Sequence, residues 1–261
     1  MGWGNEGNCC QAFLKAASLL NELVRDKVTN NLAKAVPHFE NFHEAIVKKI
    51  RNHRGNHWAE GPLPPDATNL ALCMDGTRLN VGEPVDEYVE MSVYSGYTGT
   101  HCLGYLSLMA PDGMIVFLAG PFAGHFTDLD FVRLSGVNNA LYEAQIGRNN
   151  QYWAYGDRIF IDDTYIRAAP RGNNIPFQMQ QEGIPLKSIR SQCAELPFGK
   201  IANLWRFIEW KPAQQLLSCP VAKHYQNIVH LTNCHTILYG SLTGSYFDIF
   251  PHIRTLRELH Q

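Results

Sequence analysis

The sequence has no long uninterrupted apolar run, so a transmembrane helix is not expected. It has no Cys-x-x-Cys pair. Its seven cysteines are scattered apart from the adjacent Cys9 and Cys10, and the count is odd. That pattern suits free thiols in a reducing compartment better than a disulfide framework or a zinc ribbon. Charge of either sign is not in excess. The net charge is -2, so any affinity for nucleic acid has to come from a local basic patch. Residues Met1 to Gly7 lack the basic start and apolar stretch of a signal peptide. There is no internal repeat and no low-complexity segment. What remains is an ordinary globular composition, 45% hydrophobic and 18% charged over 261 residues. This is enough for one large domain, or one domain with a small appendage.

Residues 10–54 carry helical periodicity. Phe13, Ala16, Leu19, Leu20, Leu23 and Val24 form one stripe, and Phe39, Phe42, Ile46 and Ile50 form a second, with Pro37 as a break between them. The second helix ends in the densest basic run of the chain, Lys48, Lys49, Arg51 and Arg54. Cations at a helix C-terminus are favoured by its dipole, so the run reads either as a solvated face or as a phosphate-contacting patch. Gly61 to Pro65 has the composition of a stiff linker. It predicts a helical segment over 1–66 and a main domain over 67–261.

The main domain opens with Leu70 to Asp75, a short apolar run ending on a carboxylate before Gly76. Such a run reads as a buried strand, with Asp75 at its mouth, although Asp-Gly is also a plain turn pair. A polar loop follows from Arg78 to Met91. His101–Met109 and Met114–Ala119 read as hairpin strands around the turn at Pro111 to Gly113. A Gly- and Pro-rich loop precedes a helix over Asp128–Gln145, for which Thr127 and Asp128 are cap candidates. Tyr152–Asp157 is a second strand ending on a carboxylate. Residues 162–185 look irregular. Ser188–Phe207, with Glu195, and Pro220–Leu238 look helical, with Pro197 as a fault in the first. The order predicts a mixed α/β architecture.

Two strands that each end on Asp, followed by a helix bearing Glu, suit one chemistry. Mg²⁺ and Mn²⁺ take hard oxygen donors. Two such ions held roughly 3.5–4 Å apart clamp the attacking and leaving oxygens of a phosphodiester. In that arrangement Asp75 bridges both ions, Asp157 holds one and Glu195 reaches the other. With 24 acidic residues in the chain, the pattern is weak taken alone.

Longer segments strengthen it. Cys73-Met-Asp75-Gly-Thr77, Tyr94 to Leu103 around His101, Pro111-Asp-Gly113, Gly120-Pro121, Gly124 to Asp128, Tyr155-Gly-Asp157, Glu195 to Ile201 and Asn233 to Gly240 occur in this order. Together, from about Leu70 to Phe247, the chain resembles the DDE-superfamily endonucleases of PIF/Harbinger transposons. The resemblance implies a ribonuclease H-like fold: a mixed sheet flanked by helices, here preceded by a small helical N-terminal segment. It implies cleavage and strand transfer of DNA ends using Mg²⁺ or Mn²⁺ at a two-metal site formed by Asp75, Asp157 and Glu195. Asp128 matches a further family Asp that ligates or orients, unless it only caps its helix. His101 contacts phosphate or bonds within its strand, and His235 packs internally. The family context implies DNA as substrate, a nuclear location (a cytoplasmic one being the alternative), a Myb-like partner protein that helps recognise DNA, and possible homo-oligomers.

The chain departs from the family pattern in places. Thr98 and Gly99 stand where a basic pair is usual. The loop Gly124-His125-Phe126 lacks the common Arg. Arg158 to Ile161 replaces Pro-Ala-Tyr-Pro. Arg190 lies five residues before Glu195 where the family has four, so that Ser191 occupies the usual arginine position. Pro197 replaces Ala. These changes remove positive charge that phosphate binding would use, and they open the alternative of a domesticated, non-cleaving protein that binds DNA or protein.

Overall fold

A computed structural model describes residues 15–23, 31–53, 62–63, 65–160, 163–169, 185–211 and 214–260. Arg54, Gly61 and Pro64 of the Gly61–Pro65 stretch, and most of the irregular segment 162–185 lie outside the described residues.

Helix α1 (residues 15–23) is followed by α2 (Asn31–Ala35) and α3 (Phe39–Arg51). A 3₁₀ turn over Val36–His38 separates the last two, with Pro37 in its first positions. Strand β1 (Leu70–Asn80) leads to α4 (Glu87–Val93), β2 (Tyr94–Ser95), β3 (Thr100–Met109) and β4 (Ile115–Ala123). Next come α5 (Asp128–Ser135), α6 (Val137–Ala144), β5 (Trp153–Gly156) and β6 (Ile166–Ala168). The chain closes with α7 (residues 185–190), a π-helical segment over Ser191–Glu195, α8 (Leu196–Leu204), α9 (Val221–Tyr239), α10 (Leu242–Phe247) and α11 (Leu256–His260).

The strands form one sheet. β3 lies between β1 on one edge and β4 with β2 on the other, antiparallel to all three; β5 and β6 continue beyond β1 in parallel. A central β1, one reversed neighbour and helices on both faces make this a ribonuclease H-like mixed α/β fold.

Side chains on β1 alternate between two cores. Cys73 faces one with Tyr105, Tyr155, Ile46, Ile50, Ile201 and Tyr225. Leu72 and Met74 face the other with Leu106, Phe39, Phe42, Phe131 and Leu141. The apolar stripe of α3 thus serves both cores, and burying each of its large side chains contributes about 1.5–3 kcal/mol. Beneath the β3–β4 turn, fully buried Asp112 accepts the backbone N–H groups of Met114 and His252 and pairs with Nδ1 of His252 at 2.6 Å. This anchors the C-terminal segment to the hairpin.

Several expectations are corrected. β1 runs on to Asn80, so Asp75 is mid-strand, not at its mouth, and Arg78 belongs to the strand instead of the following loop. β4 extends through Ala123 into the expected loop. The helix expected over Asp128–Gln145 breaks at Gly136, whose φ of 66° ends α5 in the left-handed region. Thr127 is its cap, in a capping box with Asp130. β6 falls in a stretch expected to be irregular. It is three residues long, too short to leave a period-2 signal. Pro197 does not interrupt its helix: it lies two residues after Glu195, the last residue of the π segment, and the helical path runs on through it to Leu204.

Candidate active site

Asp75 and Gly76 point to opposite faces of the sheet. Counting by twos from Cys73 puts Asp75 on the face covered by the π segment and α8. Counting the same way from Tyr155 carries Asp157, one residue past β5, to that face as well. In the parallel ladder Cys73 is paired with Tyr155, so the two aspartates stand at the same level. Adjacent strands lie about 4.8 Å apart, which makes this pair of acids a close one.

Glu195 reaches the pair through an arginine. Arg190 donates from Nη1 to Oδ2 of Asp75 at 3.4 Å and from Nη2 to Oε1 of Glu195 at 3.0 Å. Ser191 donates its hydroxyl to the second Glu195 oxygen at 2.8 Å. The five-residue spacing from Arg190 to Glu195 matches the i→i+5 repeat of the π segment Ser191–Glu195. The extra residue relative to the family pattern is thereby absorbed, and the guanidinium still meets the glutamate. Sequence reading alone assigned the arginine position to Ser191. The signal that could have corrected this is the spacing itself, five being the π-helical interval.

Electrostatically the site is governed by burial. Burial pushes the Asp75 carboxyl up to about 6, and Asp128 and Asp157 add to the rise; Arg190 and the Gly76 N–H oppose it. The side chains of Arg190 and Asp75 are 13% and 20% exposed, that of Glu195 52%. The helix-borne acid is therefore the solvated one. Behind the site, burial raises the Tyr155 hydroxyl well above its ordinary value, which keeps it neutral.

Asp128 lies across the sheet. A Cβ on Gly76 would come within 3.3 Å of its carboxyl group, which places it on the face opposite Asp75. There it pairs with Arg78 at 2.8 Å. Arg78 also donates to the Phe126 carbonyl and lies over the Phe131 ring. The structure brings Asp128 to Arg78, a residue sequence reading left in a loop, and not to Glu195.

Outside this centre, His101 bonds Glu90 at 3.1 Å. Lys48 pairs with Asp248 at 3.1 Å on the surface, and Lys49 lies over the Tyr246 ring. Arg51 is exposed at the end of α3. His235 packs against Tyr239, their ring centroids 4.8 Å apart.

The residues from Met74, at the first aspartate, to Asn233, within α9, match the family model of the DDE superfamily endonucleases. The chain belongs to this superfamily. No curated relative and no solved structure matches it. DDE endonucleases normally work with divalent metals, and the donors here can be tested against that need. Among the described residues no group of three or more His, Cys, Asp or Glu side chains stands close enough to hold an ion. The donor chemistry nevertheless fits: three hard carboxylates, two of them level on adjacent strands, and an Asp75 carboxyl whose proton affinity is raised chiefly by burial and further by Asp128 and Asp157. Arg190 supplies positive charge between Asp75 and Glu195. No described helix of this DDE endonuclease is long and apolar enough to cross a membrane.

Proposed function

We propose that the chain is a metal-dependent DNA endonuclease of the transposase type, in the PIF/Harbinger branch, and that Asp75, Asp157 and Glu195 are its catalytic acids. The observation that carries this is two level aspartates on one face of the sheet, with a glutamate joined to the first through Arg190. Those three residues would hold Mg²⁺ or Mn²⁺, which when bound polarises the phosphodiester and lowers the pKa of an attacking water. The chain's own contribution is positional. β1 fixes Asp75 in a ladder with β3, the Gly76 N–H and Arg190 orient its carboxylate, and Ser191 with Arg190 orients Glu195.

In this reading residues 67–261 carry the chemistry and 1–66 are the helical N-terminal segment, of which α2 and α3 pack on the sheet. DNA is the substrate, with Lys48, Lys49, Arg51, Arg54 and His101 as its contacts outside the centre. The protein acts in the nucleus with a Myb-like partner and can self-associate during strand transfer. Asp128 serves as an orienting group through its ion pair with Arg78, not as a ligand.

One observation favours a second reading. Arg190 already bridges Asp75 and Glu195 and offsets part of their negative charge, which fits a domesticated protein that binds DNA or protein without cutting. Nicking of a supercoiled plasmid separates the two. Cleavage with Mg²⁺ or Mn²⁺, absent in EDTA and absent in Asp157→Asn, supports the nuclease. DNA binding without nicking under every metal condition supports the second reading.

A further inference from the structure

Beyond Glu195 the surface opens into a cleft of about 550 Å³ between α8, the end of α9 and the start of α10. Ser191 and Glu195 line one side; Lys200, His235 and Tyr239 line the other. The volume lies in the range of small-ligand sites, and the cleft is continuous with the candidate active site because Glu195 belongs to both.

Its chemistry is specific. The Lys200 ammonium donates to the Thr236 hydroxyl and the Gly240 carbonyl, both at 2.8 Å. An ammonium has three N–H donors, so one is left for an anion in the cleft. Tyr239 is 76% exposed and is backed by the His235 ring one helical turn before it. The tyrosine therefore presents an open aromatic face close to a fixed cation. A bare anion would use the lysine and leave the ring idle, whereas an apolar peptide would use the ring and leave the third ammonium N–H unused.

We propose that this cleft is a nucleotide subsite. It takes a nucleotide of a single-stranded segment that runs on from the phosphodiester at Asp75 and Glu195, with the base stacked on Tyr239 and a phosphate oxygen on Lys200. The proposal rests on the nuclease reading and names where the strand beside the cut is held. Stacking on one aromatic side chain changes affinity about 5- to 150-fold and is tolerant of sequence. A lysine–phosphate contact adds about 0.7 to the salt slope for a single strand. Burial brings the Lys200 ammonium down to about 8. An incoming phosphate would restore the proton, so binding should weaken as pH rises past 8.

The test is fluorescence anisotropy in EDTA with a fluorescein-labelled single-stranded oligonucleotide and a blunt duplex, alongside a separate plasmid-nicking assay. Tyr239→Ala should weaken single-strand binding about tenfold, spare the duplex and leave Tm unchanged, since the side chain is exposed. Lys200→Gln should lower the salt slope, with recovery in Lys200→Arg. Single-strand affinity unchanged in both Tyr239→Ala and Lys200→Gln would overturn the subsite; wild-type nicking in the same preparation would leave the nuclease reading standing. Equal loss for strand and duplex would overturn the single-strand assignment. A wild-type protein that neither binds nor nicks would overturn the subsite and the nuclease reading together.

Discussion

Arg190 and Glu195 are five residues apart and joined at 3.0 Å. In a regular α-helix, residues five apart do not share a face, whereas those three and four apart do. Here the π segment brings them together, and the same guanidinium reaches Asp75. Arg190→Gln should therefore act in two opposite directions. Without metal it leaves two carboxylates without their cation and should cost about 1–3 kcal/mol of stability. With Mn²⁺ present it removes a competing cation, so the rise in Tm with metal should exceed that of the wild type. Thermal melts in EDTA and in Mn²⁺ read both effects. An identical Mn²⁺ response in the two proteins would mean that Arg190 does not stand in the metal's place.

Asp75 gives the fold a pH signature. Its carboxyl is raised from 3.8 to about 6 in the folded chain. The native state therefore holds a proton that the unfolded state has released between those values. The associated stability is complete below about 4 and is lost as pH rises through about 6, by up to about 3 kcal/mol at 1.36 kcal/mol per unit. Asp75→Asn should flatten this part of a stability–pH curve measured by urea denaturation. A slope between pH 4 and 6 that survives in Asp75→Asn would assign the effect to another group.

Asp157 is half-buried just after β5, and its Oδ1 accepts the N–H of Arg158. Asp157→Asn keeps that acceptor and should melt within about 0.5 kcal/mol of the wild type. Its stabilisation by Mg²⁺ or Mn²⁺ should disappear, since a ligand that binds only the native state raises Tm. Retention of the full metal-dependent shift would remove Asp157 from the site.

Gly104 on β3 tests the opposite face. A Cβ there would come within 2.0 Å of the fully buried Phe131 ring. Gly104→Ala should overpack this contact, costing about 1–3 kcal/mol, and shift α5 together with its first residue, Asp128. Denaturant melts measure the cost. A neutral substitution would show that α5 can move freely over the sheet.

Much of this was legible in the chain. β1, the β3–β4 hairpin and α9 follow from apolar runs and turn residues, and the level placement of Asp75 and Asp157 follows from two strand-like runs that each carry an Asp near their end. What could not be read is instructive. β6 is too short for a pattern. The break at Gly136 was hidden because apolar periodicity continues on both sides of it. The role of Asp128, ligand or orienting group or helix cap, stayed open in the sequence because sequence order carries no information about which face of a sheet a helix covers. Arg190 looked displaced because a fixed four-residue spacing presumes an α-helix, and the chain widens one turn instead.

The two sides of the site differ in how freely they can move. β1 is bonded to β3 from Cys73 to Asn80 and to β5 over its first residues, so Asp75 cannot shift without breaking ladders on which both cores depend. Glu195 projects into solvent from a widened turn and is held by two polar side chains. The centre resembles a vise with one jaw cast into the sheet and the other mounted on a helix. Any adjustment to an incoming strand therefore falls to the helix, and the grip is set by how tightly Arg190 and Ser191 hold the glutamate.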